Sequence, residues 1–351
     1  MIFSQDIFTI STDDQFNHLA LEAFAFQMKH NQVYNRFVRS LGVPLSGINH
    51  YTCIPFLPIS FFKTQEIYAS GKKPEITFRS SGTTGIQRSH HPVAELDLYK
   101  DSLINAFTRF YGNPSGYTIY ALTPGPEQCP DSSLIYMIDQ WIKAGSQPSS
   151  GFYLDNPAKL SELLLETIPK TDARRSAFRR REPGAMSHEP RAMSHEPGVL
   201  IIGLTYALLD FAGLYTIPLP GAIVMETGGM KGQRKEMVRE EVHRILSDAF
   251  KVNAIHSEYS MSEILSQAFS QGDGIFFTPP WMKVLIRDAN DPLSWVGDER
   301  TGGISIIDLV NVHSCPFIAT QDLGKTYPNG SFEVLGRFDH SDLRGCNLMI
   351  G

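Results

Sequence analysis

Ser80-Ser81-Gly82-Thr83-Thr84-Gly85 packs four hydroxyls and two glycines into six consecutive residues. Glycines let backbone N–H groups converge on an anion, and hydroxyls add donors for phosphoryl oxygens. No lysine follows in the G-x-x-x-x-G-K-[ST] spacing, so a Walker-type loop is not indicated; the same composition also suits a solvated turn. Met225-Glu226-Thr227-Gly228-Gly229-Met230-Lys231-Gly232 joins a predicted strand to a predicted helix. Open α/β sheets admit ligands at such a junction because backbone can approach closely there; a plain connection is the alternative. Glu258-Tyr259-Ser260-Met261-Ser262-Glu263 offers a purine-stacking face in Tyr259 and an oxygen ligand for Mg²⁺ in Glu263. Asp322, in a predicted turn at Ala319 to Gly324, could accept hydrogen bonds from both ribose hydroxyls or simply cap the local backbone. Arg337 could contact phosphate or ribose, or serve a surface ion pair. Cys346 follows two residues after Arg344, whose charge would lower a thiol pKa.

The elements that must position these groups are legible as alternation. From about residue 76 onward, short apolar runs alternate with helix-period segments, the pattern of strands interleaved with helices in an α/β fold. Predicted strands are Tyr117 to Leu122, Val199 to Leu204, Ala222 to Met225, Asn253 to His256, Lys283 to Ile286 and Ile304 to Leu309. Leu96, Tyr99, Leu103, Phe107 and Phe110 recur at helical spacing, as do Met237, Val238, Val242, Ile245 and Leu246. Residues 1–75 read as a mainly helical part that packs on the sheet, 76–335 as the core, and 336–351 as a hinge-like stub carrying Cys346. Within 171–198, a basic run precedes a near-tandem Ala-Met-Ser-His-Glu-Pro repeat at 185–190 and 192–197, which reads as an inserted flexible loop. Leu204 to Phe211 suits either an acyl pocket or helical core, and His256 either a contact to the acyl carboxylate or, as the safer assignment, a satisfied core histidine.

With 351 residues, 42% hydrophobic and 19% charged, the chain can bury a large core. A formal charge of −6 gives no basic field and argues against nucleic acid as the main ligand. No run of apolar residues is long enough to span a membrane, and the start lacks a secretory pattern, so a cytoplasmic location is expected. Cys53, Cys129, Cys315 and Cys346 are widely spaced, without the pairing of a zinc site; the first three are assigned to packing.

Taken in order, these motifs resemble those of the adenylate-forming enzymes, which include acyl-CoA synthetases and luciferases. SSGTTG resembles their phosphate loop, EYSMSE their Tyr-Gly-x-Thr-Glu element, TQD their Thr-Gly-Asp, and GRFDHSDLRG their hinge. LPISFFK at 57–63, the Thr-Gly-Gly of METGGMKG and a chain that stops soon after RGCNL make it most similar to the acyl-protein synthetases. These are the fatty-acid-activating component of bacterial bioluminescence reductase complexes. The resemblance implies a large layered α/β domain with the C-terminal lid truncated or absent. It also implies ATP and Mg²⁺, a carboxylic acid substrate, and an acyl-accepting reductase or transferase as partner. Ser80 to Gly85 would hold the β and γ phosphates, Gly228, Gly229 and Tyr259 the adenine, Asp322 the ribose and Glu263 the Mg²⁺. Arg337 would steady the nucleotide, and Cys346 would receive the acyl group. The sequence departs from the pattern where Ile86-Gln87-Arg88 replaces Pro-Lys and where Ser260 and Gln321 replace glycines. The lid lysine has no counterpart, and Lys231 or Arg88 could supply its charge. Release of a soluble coenzyme A thioester, or nucleotide binding without chemistry, are the competing readings.

Overall fold

Tyr120 and Leu122 face one hydrophobic core while Ile119 and Ala121 face another, so the strand they share is buried on both sides, as its uninterrupted apolar sequence requires. In the computed structural model, which describes residues 7–69, 71–81, 87–172, 198–229 and 237–338, this strand lies inside a three-layer α/β/α arrangement. In chain order the strands are β1 (Leu57–Pro58), β2 (Ile76–Arg79), β3 (His90–Val93), β4 (Tyr117–Leu122), β5 (Gly151–Phe152), β6 (Gly198–Leu204) and β7 (Ile223–Thr227). They continue with β8 (His256–Tyr259), β9 (Ala268–Ser270), β10 (Ile275–Phe277), β11 (Met282–Arg287), β12 (Gly302–Asp308), β13 (Phe317–Thr326) and β14 (Phe332–Arg337). The α-helices are α1 (Asp13–His30), α2 (Gln32–Ser40), α3 (Phe61–Thr64), α4 (Leu96–Tyr111), α5 (Ser133–Gly145), α6 (Pro157–Asp172), α7 (Thr205–Leu214) and α8 (Arg239–Phe250).

Among the described residues, the large sheet runs β11-β12-β13-β14-β10-β9-β8-β7-β6-β4-β5, with β1 added beside β13. Strands β5, β4, β6, β7 and β8 pair in parallel. From β8 through β9, β10, β14, β13, β12 and β11 every pairing is antiparallel. The sheet therefore changes character at β8, the strand that carries Tyr259. Helices α4 and α5 cover one face, with Leu103, Phe107, Met137 and Trp141 buried there. Helices α6, α7 and α8 cover the other, with Leu164, Leu208, Phe211, Leu246 and Phe250. Close packing sets the sequence at Gly203, where an added Cβ would come within 2.9 Å of Leu122 Cβ and Leu208 Cγ.

The N-terminal helices are fixed to the antiparallel half by polar contacts as well as by packing. Thr12 and Gln15 form a reciprocal capping box at the start of α1. Gln27 donates to the Val312 carbonyl at 2.6 Å, and Asn31 donates to the Ser314 carbonyl at 3.0 Å.

Several expectations are corrected. The strand expected at Asn253 to His256 begins at His256 instead. Lys251 ends α8 in the left-handed region (φ 52°), and Val252 and Ile255 turn into the second core before pairing starts. Asp322 lies within β13 and not in a turn. Cys53 is exposed and Cys129 partly so, leaving only Cys315 among these three as a packed thiol; burial pushes that thiol up to about 12. Leu204 to Phe211 forms the end of β6 and the start of α7 and contributes to the second core. The repeat at 185–197 lies outside the described residues. No described helix is long and apolar enough to cross a membrane.

Candidate nucleotide site

Parallel strands deliver their carboxyl ends to one edge, and there β7 and β8 bring two of the motifs side by side, with Glu226 opposite Ser257. Just past β7 the chain turns through Gly228 (φ 71°) and Gly229 (φ 65°), two successive left-handed conformations that side chains with a Cβ disfavour. Thr227 Oγ1 donates to Glu258 Oε2 at 2.6 Å and fixes this turn to β8. Beneath it, Glu226 accepts from Thr205 Oγ1 at 2.6 Å and from Ser257 Oγ at 2.7 Å, with His243 Nε2 at 3.7 Å. Burial pushes the Glu226 carboxyl upward, but the nearby His243 and the hydrogen bonds from Thr205 and Ser257 together hold it below the ordinary range.

Tyr259, Asp322 and Arg337 meet directly. Tyr259 Oη donates to Asp322 Oδ2 at 2.7 Å, and Arg337 Nε donates to Asp322 Oδ1 at 3.2 Å. Register explains the second contact, because Asp322 and Arg337 are cross-strand partners in β13 and β14. The Tyr259 ring packs against Phe276 and Phe332, with centroids 5.9 and 5.7 Å away. Burial, reinforced by the Asp322 charge, pushes the Tyr259 phenol well above its ordinary value, so it stays a neutral donor. The Arg337 side chain is otherwise 81% exposed, which leaves its remaining N–H groups free to reach a ligand.

Glu263 sits in the loop between β8 and β9 and is 6% exposed. Burial raises its carboxyl pKa, while the nearby Ser89 and the charges of Lys63 and Arg337 act in the opposite direction. An oxygen donor whose ionised form is disfavoured by burial is suited to a hard divalent cation, which would restore the charged form. Glu263 is thus a residue that could hold Mg²⁺, as a single protein carboxylate, since no group of three or more such ligands occurs among the described residues. Lys63, at the end of LPISFFK, is a contributor that sequence reasoning did not assign; its place beside Glu263 is created by tertiary packing.

Of the hydroxyl loop, Ser80 and Ser81 are described. Gly82, Thr83, Thr84 and Gly85 lie outside the described residues, as do Lys231 and Cys346. The stem of the loop is closed by Ser80 N donating to the Ser89 carbonyl at 3.3 Å and Ser89 N donating to Ser80 Oγ at 2.9 Å. Arg88 Nε donates to the Ser80 carbonyl at 2.5 Å, and its Nη1 lies 3.5 Å from Asp131. Arg88 therefore stands at the base of the loop, where the resemblance would have a lysine.

Asp308 anchors the Glu263 loop at its far end. It accepts from Leu265 N at 2.7 Å, Ser266 N at 2.9 Å and Ser266 Oγ at 2.7 Å. Burial pushes its carboxyl up to about 6 despite these donors. On the α4 side of β8, His256 Nδ1 lies 3.2 Å from Tyr111 Oη. Burial, with a smaller contribution from His243, pushes the His256 imidazolium down to about 4.

A pH dependence follows from His256. Its folded pKa lies below the ordinary 6.5, so the unfolded chain binds the extra proton between about 4 and 6.5. Stability from this group is complete above 6.5 and is lost as pH falls toward 4, a range worth on the order of 3 kcal/mol. In His256→Asn, which keeps an acceptor for Tyr111, urea unfolding should show a shallower loss of stability from pH 7 to 4.5 than the parent chain. Identical slopes would contradict the assignment.

No protein-family model matches the sequence, and no curated protein matches it. Solved structures do match the fold. ATP-bound MatB from Rhodopseudomonas palustris superposes with a TM-score of 0.51 at 15% identity, over 77% of this chain and 49% of that one. A 2-hydroxyisobutyryl-CoA ligase in an open conformation, in complex with 2-HIB-AMP and CoA, gives a TM-score of 0.61 at 11% identity, over 93% of this chain and 70% of that one. The same ligase in its postadenylation state gives 0.60 at 12% identity. The chain thus spans about half the length of MatB. Its fold resembles that of these solved structures over the shares of this chain that they cover.

Proposed function

We propose that this chain activates a carboxylic acid, with a fatty acid as the favoured class, at the expense of ATP and then transfers the acyl group to its own Cys346. One observation carries this reading: Tyr259 and Arg337, from two separate motifs, converge on the Asp322 carboxylate of a third, and Tyr259 lies in the strand paired with the one that runs into the Gly228-Gly229 turn. The likeness in fold to ligases solved with ATP or an acyl-adenylate supports it.

In the first half-reaction a carboxylate oxygen of the acid attacks the α-phosphorus of ATP. The new O–P bond replaces the bond to pyrophosphate, which departs with its electron pair. Gly228, Gly229 and Tyr259 form the adenine surface, and Asp322 takes the ribose hydroxyls. Ser80 to Gly85 donate to the β and γ phosphates, and Arg337 steadies the nucleotide. Bound at Glu263, Mg²⁺ would neutralise phosphate charge. Lys231 and Arg88 are the cations assigned to the charge developing on pyrophosphate. In the second half-reaction the Cys346 thiolate attacks the acyl carbonyl, AMP leaves, and a thioester forms. A reductase or transferase protein would then receive the acyl group.

A second reading, release of a soluble thioester with coenzyme A, is favoured by the ligase solved with CoA, which matches 93% of this chain. Intact mass of the protein after incubation with Mg-ATP and a panel of carboxylic acids separates the two. Self-loading predicts an adduct equal to one acid minus water. An unmodified protein alongside acyl-CoA formed on adding coenzyme A supports the second reading.

A further inference from the structure

We propose that His91 is a positioning residue that locks the loop carrying Glu263 against the hairpin carrying the hydroxyl loop. The proposal rests on the reading of Glu263 as the Mg²⁺ ligand.

His91 begins two residues after the stem of the hydroxyl loop, in β3, and is 1% exposed. Its Nδ1 lies 2.7 Å from the Ser262 carbonyl, the residue directly before Glu263. Its Nε2 lies 2.8 Å from Asn311 Oδ1. Asn311 is held in a single orientation, because its Nδ2 donates to the Glu263 carbonyl at 2.8 Å and to the Cys315 carbonyl at 2.9 Å. Both ring nitrogens therefore face oxygens, and a neutral imidazole has one proton to give. Either way the bond bears on the same loop, directly at Ser262 or through the amide that grips Glu263. The Phe62 ring stands edge-on to the imidazole at 5.8 Å, and Asp308 secures the loop's other end through Leu265 and Ser266. Glu263 is thus suspended between two clamps.

Neither clamp supplies a ligand. What His91 supplies is correlation: the stem of the hydroxyl loop and the carboxylate for the cation move as one body. Groups that orient a metal ligand in this way typically change metal affinity by about 10- to 100-fold when removed.

The test uses the full chain with His91→Leu, which removes both contacts, and His91→Asn, whose amide can reproduce the Nδ1 donor. Trp141→Phe, which loses a buried hydrogen bond to the Leu103 carbonyl away from this loop, controls for general loosening. Two quantities are read: amide hydrogen exchange of residues 260–267 without metal, and the Mg²⁺ concentration that half-saturates ATP binding. His91→Leu should speed exchange in that loop and raise the half-saturating Mg²⁺ by about tenfold. The KM for the carboxylic acid should stay unchanged, and His91→Asn and Trp141→Phe should stay near the parent in both readouts. A folded His91→Leu with parental Mg²⁺ dependence would overturn the proposal, whatever its exchange. If His91→Leu does not fold, His91→Ala, which also removes both contacts, replaces it under the same criteria. Failure of the parent chain to bind Mg-ATP would instead count against the nucleotide reading, while parental loop exchange in His91→Leu would overturn the clamp independently.

Discussion

Cys346→Ser is expected to abolish covalent acyl loading while leaving acid-dependent exchange of pyrophosphate into ATP within about threefold of the parent chain. The separation follows from where the two half-reactions draw their groups. In the proposed reaction adenylation would draw on Ser80 to Gly85, the Gly228-Gly229 turn, Tyr259, Glu263, Asp322 and Arg337, and none of these would contribute the nucleophile of the second step. At roughly neutral pH a serine hydroxyl is almost wholly protonated, whereas even an unperturbed thiol is a few per cent thiolate. The check is intact mass paired with labelled pyrophosphate exchange on the same preparations. Loss of both would mean that Cys346 serves the first half-reaction or the fold, and persistence of the adduct in the serine variant would place the acyl group elsewhere.

Asp322→Ala is expected to raise the KM for ATP by roughly a hundredfold. A hydrogen bond to a charged group is worth about 1.5–3 kcal/mol, and about 1.4 kcal/mol is tenfold in an equilibrium. Asp322 would make such bonds to two ribose hydroxyls. Its loss would also release Tyr259 Oη and Arg337 Nε, which it now holds at 2.7 and 3.2 Å. Asp322→Asn separates charge from shape: it keeps an acceptor at the same position and should fall between the parent and the alanine variant. The measurement is initial rate against ATP concentration at saturating acid, with thermal unfolding of each variant alongside. An unchanged KM in a folded Asp322→Ala would remove the ribose from this carboxylate.

How far the sequence alone reaches can be judged from particular residues. Runs such as Tyr117–Leu122 are continuous and apolar because both faces of β4 are covered, so strand identity is written locally. Asp322 was misread for a physical reason: Thr-Gln-Asp-Leu-Gly carries turn-forming residues, and only pairing with β12 and β14 makes it a strand. The apolar pattern sets the strand that ends at Tyr259 three residues early because Val252 and Ile255 are buried by the second core rather than by the sheet. Motif order was legible, whereas the meeting of Tyr259 with Asp322 is set by the fold. His91, Asn311 and Lys63 left no local signal, since each draws its role from a loop far away in the chain. Residue type alone assigns Cys53 to packing, yet it ends a short 3₁₀ turn at Tyr51–Cys53 and is exposed.

The central claim, that this site makes an acyl-adenylate, is tested most directly by exchange of labelled pyrophosphate into ATP across a panel of carboxylic acids with Mg²⁺ present. Exchange that depends on at least one acid, and that needs roughly a hundredfold more ATP in Asp322→Ala, is the predicted result. ATP binding without exchange under any acid would contradict it and leave a nucleotide-binding module without adenylation chemistry.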